Sequence, residues 1–374
     1  MRLIQLDILR GIAVLLVMGA HLPDYVTNIG SGTAPLLGVW KQCGWTGVDL
    51  FFVLSGFLVS GLLFREYKHY GTVQVGRFFI RRGLKIYPGF YVFLLLTSLW
   101  GVLVSQQYPT LAQYLCEIFY IQNYGERIWI HTWSLAIEEH FYLFIGLFIF
   151  FRVRSKSPEP LRIIPLLAVA CGAVILFLRT AHAGLADGYV HKTHLFPTHL
   201  RIDSLLFGVM LAYYHHFRHD AFKAWVKGNA GTIALVCTPM AVLGLVFWLG
   251  SFFMHTLGLT FLYLGFGGLL LVSIYCFDEK DVRARRLAVA MATVGYYSYS
   301  IYLWHVPVSD WTTSLLGILR GQPGVSPAAL MIIGLVVYVG GALAAGIGMA
   351  KLIEIPCLRL RDRIFPSRSG GLKI

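Results

Sequence analysis

Apolar runs of membrane-spanning length recur along almost the whole chain, and that recurrence leaves few folds open. In hydrocarbon every backbone polar group must find its partner inside the protein, so spanning segments are helices or closed barrels, and runs of about twenty residues are helix-length. Ten such runs centre on residues 8–27, 45–64, 87–105, 131–151, 163–180, 200–217, 230–250, 256–276, 288–308 and 328–350. Of the 374 residues 57% are hydrophobic and 13% charged, with a mean hydropathy of +0.68, which excludes a soluble domain. The expected fold class is all-α: a polytopic integral membrane protein of about ten transmembrane helices, forming one domain over residues 1–374.

The net charge of +13 points less to nucleic acid than to topology. Most of the 31 Lys and Arg residues fall at the N-terminus, in 65–85, 152–162, 218–227 and 280–286, and after residue 350, and these basic segments alternate with poor ones. That pattern places both termini in the cytoplasm. The N-terminal run lacks a small-residue cleavage site and is kept as the first span. Six scattered cysteines form neither a disulfide framework nor a metal-ligand spacing, and no internal repeat stands out. No metal and no nucleic-acid partner is expected.

Ionisable side chains sit inside the spans, where each is a candidate for function. Eleven helical steps bring Arg10 and His21 to one face about 16 Å apart, with Asp7 on the same stripe. Asp7 and Arg10 fit an interfacial pair as well as a site, whereas His21 lies about 20 Å beyond Asp7, near the outer leaflet. Glu138 lies about 10 Å into a span entering at His131, Asp49 is near the outer end of the second span, and His305 is about 27 Å beyond the start of the ninth. A carboxylate and an imidazole in a water-poor cavity are what a general base needs. His21 is the expected base, oriented by Glu138 or Asp49.

Each residue has a plainer use. Asp49 and Asp203 occupy first helical turns and fit the helix dipole as well as substrate contact. Glu138 shares a face with Ser134 and Tyr142, which suits an internal network or catalysis; Glu139 points elsewhere, toward a neighbouring span or Arg. Ser298, Tyr302 and His305 recur at helical spacing in an aromatic segment. Arg201, at the outer start of the sixth span, fits an acceptor, an oxyanion or an interfacial snorkel. Gly56 and Ser60 allow close helix packing or passage of something thin. His191, His194 and His199 form an outer-loop set, solvated or touching an acceptor.

The segment 65–85 carries Arg65, Lys68, Arg77, Arg81, Arg82 and Lys85 against Glu66 alone. Anionic lipid headgroups would suit it. Guanidinium forks equally suit the phosphates of coenzyme A, whose thin pantetheine arm could then run between helices toward His21.

Several motifs carry a resemblance. Leu6-Asp7-Ile8-Leu9-Arg10-Gly11-Ile12-Ala13 with His21 downstream is followed by Gly47-Val48-Asp49-Leu50-Phe51-Phe52-Val53-Leu54-Ser55-Gly56-Phe57, Arg77-Phe78-Phe79-Ile80-Arg81-Arg82 and Tyr87-Pro88. Then come Trp133-Ser134-Leu135-Ala136-Ile137-Glu138-Glu139, Arg201-Ile202-Asp203-Ser204-Leu205, Tyr299-Ser300-Ile301-Tyr302-Leu303-Trp304-His305 and Glu354-Ile355-Pro356. Together they resemble the acyltransferase-3 family of membrane O-acyltransferases over nearly the whole chain, in the stand-alone form without a C-terminal hydrolase-like domain. The resemblance implies transfer of an acyl group, often acetyl from acetyl-CoA, to hydroxyls of extracytoplasmic sugars or glycoconjugates, in a bacterial cytoplasmic membrane. The expected roles are His21, Glu138 and Asp49 in catalysis, Arg10, Arg77, Arg81, Arg82 and Lys85 at acyl-CoA, and Arg201, Asp203, Tyr302 and His305 at the acceptor or oxyanion. A proton-coupled transporter is the rival reading, since intramembrane His and Glu also build proton relays.

Overall fold

The computed structural model describes residues 3–27, 35–155, 157–320, 322–366 and 368. Among these residues regular structure is helical throughout, with no strand. Apart from short connecting pieces, the helices are α1 (Ile4–Ala20), α2 (Gly47–Tyr70), α3 (Val75–Leu103), α4 (Leu111–Ile118), α5 (Trp133–Val153), α6 (Ile164–Leu185), α7 (Ile202–Phe217), α8 (Ala230–Ala241), α9 (Leu259–Cys276), α10 (Arg286–Tyr296), α11 (Ser298–Arg320), α12 (Pro327–Met349) and α13 (Ile355–Ile364). This is an all-α polytopic membrane protein.

Ten spans were expected; six helical stretches among the described residues are long and apolar enough to cross a membrane, or seven if a pair bent by 78° over His219–Leu245 counts as one. The difference has a physical cause. The runs at 8–27 and 200–217 become α1 and α7, of only 17 and 16 residues, which carry charged side chains because other helices shield them from lipid. The run at 288–308 is broken at Tyr297, where α10 ends and α11 begins.

Packing centres on α2. Phe52, Val53, Leu54, Leu63 and Phe64 are fully buried there, as are Ala13, Val14 and Met18 of α1. α2 lies against α1, α5 and α7; α3 and α11 close the opposite side, with α12 outside α11. The α2–α7 contact depends on two glycines. A Cβ at Gly56 would stand 2.0 Å from the Leu205 carbonyl oxygen, and one at Gly208 2.3 Å from that of Val53. Close packing is thus the use this structure makes of Gly56, and Ser60 on the same helix donates back to the Gly56 carbonyl at 2.6 Å.

The end of α1 is fixed from two sides. Tyr338 of α12 donates to the Met18 carbonyl at 2.8 Å, and Ser309 of α11 donates to the His21 carbonyl at 2.6 Å. At the other end of the bundle α12 passes through a π-helical turn, Ala350–Glu354, into α13. Such a turn shifts the helical phase by one residue and often marks a functional position; here it carries Glu354 to the wall of a cavity.

Candidate functional site

A cavity of about 290 Å³ opens between α1, α2, α3, α5 and α11. Helical spacing sets its walls: Ser55, Leu58, Val59 and Leu62 on α2, and Ser134, Glu138 and Tyr142 on α5. Arg10, Arg65, Arg82 and Lys85 make it basic, while Glu138, Glu139 and Glu354 supply acidic walls. Tyr142 donates to Glu138 at 2.9 Å and meets the Ser55 hydroxyl at 2.8 Å. The Arg82 guanidinium lies 4.1 Å from the Tyr142 ring centroid, a cation–π contact. Glu139, expected to point elsewhere toward a neighbouring span or Arg, accepts from Tyr87 of the neighbouring α3 at 3.0 Å and also lies on the cavity. It reaches the same cavity as Glu138 because Ser134, Leu135, Glu138, Glu139 and Tyr142 all line it, a broad face of α5 spanning about 140°.

The basic cluster divides. Arg82 and Lys85 line the cavity with Arg10, which pairs with Asp7 at 3.8 Å. Arg77 and Arg81 instead donate to the carbonyls of Pro366 and Phe365, and Arg81 also pairs with Asp362 at 3.0 Å. Arg65, in the same cluster but not singled out, joins the lining.

Val48, Phe51, Ser134 and Tyr302 also line the cavity, and the Tyr302 hydroxyl is tied to Ser134 at 2.6 Å and to the His131 carbonyl at 2.8 Å. Immediately behind Tyr302 stand His305 and His131, with ring centroids 5.4 and 5.6 Å from the phenol. His21 follows at 4.9 Å from His305. Their partners set the protons. His305 donates from Nδ1 to the Tyr302 carbonyl at 2.6 Å, so its Nε2 keeps a lone pair. His21 Nδ1 lies 3.0 Å from the Val17 carbonyl and 3.2 Å from that Nε2, so it carries the proton and donates to both. The lone pair of a neutral His21 is left on Nε2. His131 donates from Nε2 to the Leu303 carbonyl at 3.1 Å, leaving a buried Nδ1 with no partner.

Neither expected carboxylate touches His21. Glu138 is held by Tyr142, and Asp49 accepts from Arg201 at 2.7 Å with both side chains at most 1% exposed. Asp203 pairs with Arg179 at 2.8 Å in the same buried manner, and Arg179 also donates to Thr260. None of these four lines the cavity. Two residues of this constellation escaped the sequence reading. Arg179 is an arginine within an apolar run, which the rule applied to Arg10 would have found. His131 gave only its place at a span entrance.

The loop bearing His131 is anchored by Glu117 on α4. This fully buried carboxyl accepts from the Thr132 hydroxyl at 2.9 Å and from the backbone N–H groups of Ile128 and Trp129. Burial outweighs these donors and the nearby Arg127 and pushes its pKa up to about 7. Among the described residues no three His, Cys, Asp or Glu side chains are grouped to hold a metal ion.

Residues 3–347 match a family model described as an acyltransferase domain. The peptidoglycan O-acetyltransferase OatA of Listeria monocytogenes is 27% identical over 356 residues, covering 88% of this chain and 52% of that protein. The O-acetyltransferase OatA of Staphylococcus aureus is 28% identical over 308 residues, covering 74% of this chain and 47% of that protein. A putative O-acetyltransferase of Staphylococcus aureus strain COL is 27% identical over 338 residues, covering 83% and 51%. The chain spans about half the length of these curated relatives. No solved structure matches it.

Proposed function

The chain belongs to the acyltransferase-3 family of integral-membrane O-acyltransferases, and from that premise we propose that it moves an acyl group, acetyl by the names of its relatives, from cytoplasmic acyl-CoA to a hydroxyl of an extracytoplasmic sugar or glycoconjugate. The work is done by one transmembrane domain in a bacterial cytoplasmic membrane. The observation that carries this reading is the cavity, lined by Arg10, Arg65, Arg82 and Lys85 and by Tyr302, with a histidine pair one ring behind that phenol.

A cavity of this volume takes the slender pantetheine arm and leaves the nucleotide at the mouth, where Arg10, Arg65, Arg82 and Lys85 meet its phosphates. The thioester then lies beside Ser134 and Tyr302. A swing of the Tyr302 phenol away from Ser134 joins that compartment to His21. His21 Nε2 takes the proton of the acceptor hydroxyl, the oxygen attacks the thioester carbonyl, and the carbon–sulfur bond breaks. The departing thiolate recovers a proton from the imidazolium. His305 accepts the Nδ1 hydrogen of His21 and, with the Val17 carbonyl, fixes its ring. Orientation of the base therefore falls to His305 and main chain in place of Glu138 or Asp49. Glu138 serves on the donor side, and Asp49, Arg201 and Asp203 serve by holding helices.

The test uses purified protein in detergent with acetyl-CoA and a soluble oligosaccharide, following release of coenzyme A. His21→Ala is expected to lower kcat by about 10²- to 10⁴-fold, the usual worth of a general base, with acetyl-CoA affinity unchanged. Turnover equal to wild type in that variant, or a wild-type protein that does not bind acetyl-CoA, would overturn the proposal.

A further inference from the structure

A second polar cluster lies away from the cavity. His182 at the end of α6, Tyr189, His194 of the short His191–His194 helix and His255 at the start of the 254–276 span converge. Ring centroids are 4.5 Å apart for His182 and His194, 5.3 Å for His194 and His255, and 5.0 Å for Tyr189 and His255. Three side-chain atoms here are buried without a partner: His182 Nε2, the Tyr189 hydroxyl and His255 Nδ1, on a histidine only 6% exposed. A membrane-interface aromatic belt accounts for exposed Trp248 and Phe252 nearby. It does not account for three unused hydrogen-bonding atoms in one place, each costly to bury unpaired.

The chemistry of the set narrows the occupant. Burial lowers the pKa of His191 and His194 and raises that of Tyr189, which favours the uncharged form of each. Neutral imidazoles and a phenol both give and accept hydrogen bonds, so they suit hydroxyls and amides better than a charged group. Ring faces of Tyr189, His191 and Trp248, with centroids of the latter two 5.0 and 6.3 Å from Tyr189, offer apolar platforms for C–H surfaces. An uncharged molecule with alternating hydroxyl and C–H faces is a saccharide.

The cluster also lies on the correct side. His191 is 6.0 Å from Phe196, and Phe196 stacks at 4.9 Å on Trp133, two residues after His131. That is the histidine end of the bundle, away from the Arg82 mouth. We propose that His182, Tyr189, His194 and His255 form a saccharide subsite that holds a sugar unit of the acceptor other than the one acylated at His21. The assignment rests on the acyltransferase reading for its meaning but not for its measurement.

Binding of tri-N-acetylchitotriose to the full chain in detergent, followed by saturation-transfer NMR titration, tests it. Tyr189→Phe keeps the ring and removes one hydroxyl; it is expected to weaken binding about three- to tenfold, the worth of one neutral hydrogen bond. His255→Ala should weaken it at least as much. Acetyl-CoA binding, which depends on the distant cavity, is expected to stay at the wild-type value in both and reports that each variant is folded. Saccharide affinity unchanged in Tyr189→Phe, or no binding by wild type, overturns the subsite. Because no turnover is read, a wild type that binds the trisaccharide yet transfers no acetyl group would sink the acyltransferase reading and leave the subsite standing.

Discussion

Asp49 and Arg201 are 152 residues apart in the chain and 2.7 Å apart in the fold. Sequence marked both as ionisable groups in apolar surroundings, yet nothing in one dimension joins two spans, so Asp49 was read as a helix-end charge, a substrate contact or the orienter of His21, and Arg201 separately as an acceptor contact, an oxyanion contact or an interfacial snorkel. The pairing makes a sharp prediction. Asp49→Ala leaves the Arg201 guanidinium buried and uncompensated, which costs about 3–5 kcal/mol, whereas replacing both partners by apolar residues of similar size is about neutral. Thermal unfolding in detergent should show Asp49→Ala well below wild type and the Asp49→Leu/Arg201→Met double variant near it. Activity retained in the double variant would fit the helix-holding role; loss of activity with full stability would argue for direct contact with a substrate. His21 shows the converse limit. Its place on a polar stripe was legible from helical spacing, but its partner His305 was assigned to the acceptor or oxyanion, and the pairing and the proton assignment needed distances.

Among elements, the polar stripe Ser298, Tyr302 and His305 was read from periodicity, and the structure divides it: Ser298 and Tyr302 face the cavity and His305 lies behind. The break at Tyr297 was not legible, since no proline marks it. α4 was invisible as a functional element because a short amphipathic segment carries no spanning signal, and yet its Glu117 anchors the His131 loop. That carboxyl has an ordinary value of 4.5 and is raised to about 7 in the fold. A raised carboxyl pKa means the folded state holds the proton more tightly. Its contribution is fully present below pH 4.5 and is lost as pH climbs through 7. The melting temperature of wild type should therefore fall over that window relative to Glu117→Gln, which stays neutral. Parallel melting curves for the two proteins across the window would refute the assignment.

For the whole molecule, composition sufficed for the class, and charge distribution located the basic segment 65–85. What it left open was which cations face inward, a matter of helix rotation and of the returning C-terminal segment. Arg81 and Arg82 are adjacent and differ in fate: one holds the Phe365 carbonyl, the other looks into the cavity. Arg82→Gln is expected to weaken acetyl-CoA binding about 10- to 100-fold, in line with loss of a charge-assisted hydrogen bond. Arg81→Gln should leave that affinity near wild type while making the C-terminal segment easier to cleave with trypsin. Titration calorimetry that found equal losses would contradict the division.

The phenol of Tyr302, buried and tied to Ser134 and to the His131 main chain, stands between the cavity and the histidines. In the proposed reaction it would keep moisture on the histidine side from an activated ester parked in the cavity, so that idle decomposition is suppressed and metabolic fuel is spent only when a recipient arrives.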